Sequence, residues 1–129
     1  MAATNPDTQA HNEMLELPGQ RALSDFRLAK LLRTLQDRDG RVKAIEARFS
    51  YFVSLLATLT GEQRQRLDAL LLSGEKPARF GRGTRCVYVV PRPGTISPWS
   101  SKATDIARVC DIAGVERVER GICLSLIHI

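Results

Sequence analysis

The sequence predicts an α+β fold, a mostly antiparallel sheet with helices packed on one face. Ile45, Ala47, Phe49, Tyr51, Val53 and Leu55 alternate with Glu46, Arg48, Ser50, Phe52 and Ser54, the period-two pattern of a strand with one buried face. Leu28, Leu31, Leu32 and Leu35 recur at i, i+3, i+4 and i+7, which marks one face of a helix. Segments of the two kinds alternate through the 129 residues in the order β, α, β, α, β, α, β. With 43% hydrophobic residues, the chain can bury one core and so form one domain.

Met1 to Asn12 is polar and unpatterned, so residues 1–12 are expected to be a flexible leader and order to begin at Glu13. Glu13 to Leu17 reads as a short strand closed by Pro18 and Gly19. Ser24 is placed as an N-cap, with Leu23 and Leu28 spaced for a hydrophobic staple, giving a helix over Asp25 to Gln36. The alternating strand follows to Leu55. Phe52 interrupts its polar side, but aromatic residues at alternate strand positions favour packing over stacking on a base. Thr60 to Gln63 has the form of a capping box, and Leu67, Leu70 and Leu71 extend a helix over Gly61 to Leu72 that Gly74 can end. Cys86 to Val90 is apolar throughout, as expected for a strand covered on both faces or central in a sheet. Val115 to Cys123 reads as a last strand interrupted at Gly121.

The most distinctive segment is Pro91 to Asp105, with three prolines, a glycine, five hydroxyl side chains and the only tryptophan. Pro91 and Pro93 remove two backbone donors, so the preceding strand must stop near Val90. Ser97 followed by Pro98 matches an N-cap with proline at the first helical position. Trp99, Ala103, Ile106 and Cys110 then recur at helical spacing and predict a buried face that Gly114 closes. Ser100, Ser101 and Lys102 beside free helix N–H groups also suit an anion. Helix capping is the simpler reading of the same hydroxyls, and no phosphate-loop spacing is present.

The net charge is +5. Between Lys76 and Thr104 there are six basic residues and no acidic one, so the excess is local. Such a stretch serves nucleic acid, an anionic ligand, an acidic partner surface or solvent, and the last two fit its Gly- and Arg-rich loop. No apolar run nears the roughly 20 residues that span a bilayer, and no basic-then-apolar leader opens the chain, so a cytoplasmic location without a membrane is expected. Cys86, Cys110 and Cys123 form no C-x-x-C pair and are expected to be reduced, buried packing residues. His11 and His128 are the only histidines, too few for a histidine-based metal centre or nucleophile system.

Leu23 to Leu32, Val90 to Ala107 and Val118 to Gly121 together resemble the N-terminal domain of the large single-chain phosphoribosylformylglycinamidine synthases. The resemblance implies a ferredoxin-like, duplicated domain over residues 13–123, similar to a dimer of the separate small subunit used by other forms of the enzyme. The helix over Gly61 to Leu72 would connect its halves. The family reaction is an ATP- and magnesium-dependent amidation of formylglycinamide ribonucleotide, with ammonia supplied by a glutamine amidotransferase domain. Its catalytic, ATP and magnesium ligands belong to later domains, so the resemblance implies no catalytic, cofactor or metal residue here and an inactive fragment. It implies as partners the synthetase and amidotransferase domains of the same chain. Arg92, Thr95, Ser97, Ser100, Ser101 and Lys102 are the candidate contacts.

Two other functions compete with this one. A free-standing regulatory or subunit-like module would bind a partner or small ligand. A basic RNA-binding α+β domain would need stacked aromatics on an exposed sheet face, and the Cys86 to Val90 strand lacks the glycine and aromatic pattern of such modules, so nucleic acid is not an expected partner. Leu124 to Ile129 can be encoded by CTGTCTCTTATACACATC, the end of a transposase-based sequencing adapter. Residues 124–129 are therefore expected to be adapter-derived, the alternative being an ordinary apolar strand end.

Overall fold

Two long antiparallel strands organise the molecule. The computed structural model describes residues 13–78, 85–112 and 114–128. Among these the elements are β1 (Glu13–Arg21), α1 (Asp25–Arg38), β2 (Val42–Leu55), α2 (Gly61–Leu72), β3 (Arg85–Val89), α3 (Pro98–Val109) and β4 (Val115–His128). The strands form one sheet in the order β1-β2-β4-β3, with every neighbouring pair antiparallel.

The chain order β1-α1-β2 is repeated as β3-α3-β4. Ser24 caps α1 as Ser97 caps α3, and β2 and β4 are both 14 residues long. Between Ala44↔Ile127 and Ser54↔Arg117 the central register runs unbroken around the pair Phe49↔Ile122. A half-turn about that pair exchanges β2 with β4 and β1 with β3, which is the isologous pairing of a two-fold dimer. α2 joins the halves, so the duplicated arrangement is the one observed.

Local chemistry sets the helix starts. Ser24 accepts from Arg27 N–H at 3.3 Å, and Thr60 and Gln63 complete a reciprocal capping box at 3.0 and 3.1 Å. Pro98 occupies the first turn of α3 behind its Ser97 cap. Leu17, Tyr51, Val53, Leu55, Val115 and Val118 from the sheet meet Leu67 and Leu71 of α2 and Ala107 of α3 in the core. Each fully buried Val or Leu side chain there contributes about 1.5–3 kcal/mol.

Several boundaries depart from the sequence expectation. β1 continues past Pro18 to Arg21, with a register shift between them; an edge strand tolerates a proline because its outer side needs no donor. β2 begins at Val42 and α1 runs to Arg38, and no residue of α1 is fully buried. β3 is neither central nor covered, being an edge strand with all five residues exposed. Its apolar composition reflects a surface that the described residues leave open. β4 does not break at Gly121 but runs to His128, with Leu124 paired to both Ala47 and Val87. Gly121 instead permits a close approach, since a Cβ there would lie 2.9 Å from the Val89 carbonyl oxygen. Cys123 is buried as expected, but Cys110 is only partly buried and Cys86 is exposed on the edge strand. Trp99, Ala103 and Cys110 of the expected α3 face are partly buried against the core, but Ile106 is exposed and the fully buried residues of the helix are Ser100, Thr104 and Ala107.

A candidate docking corner

β3 pairs with β4 only from Ile122 to Leu126. Beyond it, Pro91 and Pro93 carry the chain off the sheet, leaving the edge of β4 to be satisfied by another group. α3 supplies it. Ser100 Oγ donates to the Val118 carbonyl at 2.5 Å, and Thr104 Oγ1 accepts from Val118 N–H at 3.1 Å. Two side chains one helical turn apart thus replace a strand along β4.

The turn between β3 and α3 is tied down as firmly. Gly94 has φ of +86°, a left-handed conformation that favours glycine. Thr95 donates through both its N–H (3.2 Å) and its hydroxyl (2.6 Å) to the Arg92 carbonyl. Arg117 reaches from β4 to the Thr95 carbonyl at 3.2 Å and to Glu119 at 2.9 Å. Ser97 Oγ accepts from Ser100 N–H at 3.0 Å and donates to Glu119 Oε1 at 2.9 Å. Burial alone would raise the Glu119 pKa, but it is outweighed by the Arg120 N–H, the Ser97 hydroxyl and Arg117, and the carboxyl ionises below its usual range.

On the outer side of this frame lies an open groove of about 870 Å³, lined in part by Met14, Phe52, Val90, Arg92, Thr95 and Ser101. Ile96, 64% exposed, and Met14, 60% exposed, give it an apolar rim. Of the six candidate contact residues, Arg92, Thr95, Ser100 and Ser101 come together here. Ser97 and Ser100 have their hydroxyls engaged inside the domain. Lys102 borders a separate hollow with Leu70, Leu71, Trp99, Ala103 and Ile106. Arg79 and Arg82 of the basic stretch lie outside the described residues.

Sequence reading missed Thr104, Arg117 and Glu119. The i, i+4 spacing of Ser100 and Thr104 could have signalled a polar helix face turned inward, and Arg117 and Glu119 alternate on one strand face. Arg120 was also missed. Its guanidinium carbon stands 4.4 Å from the Phe49 ring centroid and 4.8 Å from that of Trp99. Trp99 stacks on Tyr51 at 5.7 Å and packs against the core, as an anchor of α3 rather than an open platform. On the other sheet face, Phe52 and Tyr88 meet edge to face at 6.0 Å.

Two antiparallel βαβ halves, fused through one helix and closed at one end by a helix standing in for a strand, define a small duplicated α+β domain. Residues 48–128 match the formylglycinamide ribonucleotide amidotransferase N-terminal family, and the chain belongs to that family. Membership makes the parent a phosphoribosylformylglycinamidine synthase of purine biosynthesis. Among the described residues no helix is long and apolar enough to cross a membrane.

Proposed function

We propose that this domain is a packing and coupling element of its parent synthase, seated between the synthetase and glutamine amidotransferase domains and keeping them in the alignment that ammonia transfer requires. In this reading the ATP and magnesium of the full enzyme bind to later domains, and the chemistry of amidation takes place there. The observation that carries it is the docking corner. A backbone held by prolines and by internal hydrogen bonds presents Arg92 and Ile96 to solvent around a groove that Met14 of β1 also rims. Preordered exposed apolar and cationic groups are what a partner surface needs, because little entropy remains to be lost on docking.

Hydrogen exchange on the full-length enzyme and on this chain alone tests the reading. Docking slows exchange of the Val90, Arg92 and Ile96 amides in the full-length enzyme by about tenfold or more. Equal exchange in the two would remove the corner as a contact.

A further inference from the structure

Arg120 is held as few surface arginines are. Phe49 and Trp99 both face its guanidinium, at 4.4 and 4.8 Å. Among the described residues no acceptor meets its side-chain N–H groups, although its main-chain N–H bonds Glu119. A guanidinium gripped by rings has already lost most of its rotamer freedom, while its in-plane donors stay available as a fork. That fork matches the two oxygens of a carboxylate.

The surroundings point the same way. Trp99 also forms one wall of the hollow of about 140 Å³ between α2 and α3, whose other lining residues are Leu70, Leu71, Lys102, Ala103 and Ile106. That lining carries one cation and no anion, so its field favours an acidic group. Its apolar walls suit a small aliphatic side chain rather than a nucleotide.

We propose that Arg120 is the anchor for a carboxylate of a docking polypeptide, an Asp or Glu whose aliphatic neighbour fills the hollow at Leu70, Leu71 and Ile106. The proposal rests on the docking role proposed above. It adds a second contact, on the helix-covered face of the sheet and apart from the corner groove.

The test uses the 129-residue chain labelled with ¹⁵N and titrated with sodium acetate, inorganic phosphate or sodium chloride at constant ionic strength. The readouts are the Arg120 Nε–H and Trp99 indole N–H resonances. A saturable acetate response, absent with chloride and weakened about tenfold or more in Arg120→Lys at the Trp99 signal, is expected, because an ammonium cannot replace the fork. Phe49→Leu, which keeps the guanidinium and removes one ring of the clamp, weakens the response as well and serves if Arg120→Lys does not fold. Equal responses to acetate and chloride overturn the anchor. Phosphate binding more than tenfold tighter than acetate overturns the carboxylate assignment in favour of a phosphorylated ligand. Failure here with the corner amides still protected in the full-length enzyme removes the anchor alone; failure of both removes the docking role.

Discussion

Tyr88 of β3 donates a hydrogen bond to Glu16 of β1 at 2.8 Å, so the two outer strands of the sheet are tied together across the two inner ones. Ser50 donates to the same carboxylate oxygen at 2.9 Å. Between them, Gly121 opposite Ser50 leaves room on the sheet surface.

Removing this tie has a measurable cost. Tyr88→Phe keeps the ring against Phe52 and loses the bond, and the partial exposure of the site places the loss near 1 kcal/mol in chemical unfolding. The bond to Glu16, with burial adding to it, raises the Tyr88 pKa above the ordinary phenol value. A raised pKa means that the native state holds the proton more tightly. Its stabilising effect is complete below about pH 10, the unfolded phenol value, and is lost as pH climbs above it. Wild-type stability therefore falls more steeply than that of Tyr88→Phe in alkali; parallel curves would contradict the tie.

Gly121 and Gly61 make opposite predictions. A Cβ at Gly121 would meet the Val89 carbonyl oxygen at 2.9 Å, Val90 Cγ1 at 3.0 Å and Phe52 Cε2 at 3.2 Å. Gly121→Ala should lose about 1–3 kcal/mol through overpacking. At Gly61 nothing lies within 4 Å, so Gly61→Ala should leave the melting temperature unchanged or slightly raised.

Thr104→Val separates shape from hydrogen bonding. The substitution preserves volume but leaves the buried Val118 N–H without its acceptor. A loss of about 1–3 kcal/mol follows from that orphaned donor. Ser101→Ala, at an exposed position on the same helix, changes stability by less than about 0.5 kcal/mol.

Most of the frame was legible because it depends on local rules. The Ser24, Thr60 and Ser97 caps, the alternation through β2 and the stop imposed by Pro91 follow from backbone donors and side-chain period, and the structure reproduces them. β3 misled because five apolar residues read the same whether a neighbouring strand covers them or not; only sheet order distinguishes the cases. The inward turn of Ser100 and Thr104 was hidden for a related reason. Here the two hydroxyls turn inward because they bond the Val118 carbonyl and N–H on a strand edge that has no neighbouring strand at that point, and that is a tertiary fact. Family motifs singled out the Val118 to Gly121 segment, but nothing in the sequence placed Arg120 between Phe49 and Trp99.

The central claim is that the corner around Arg92 and Ile96 couples two activities that reside elsewhere. In the full-length enzyme carrying Arg92→Ala and Ile96→Ser, glutamine-driven and ammonia-driven synthesis of the amidine product are measured side by side, with glutaminase turnover as a third readout. The account predicts that glutamine-driven synthesis drops about five- to tenfold, the scale of a lost contact hot spot, while ammonia-driven synthesis and glutaminase turnover stay at wild-type rates. Glutamine-driven synthesis that stays at the wild-type rate, or falls no further than the ammonia-driven reaction, would contradict it.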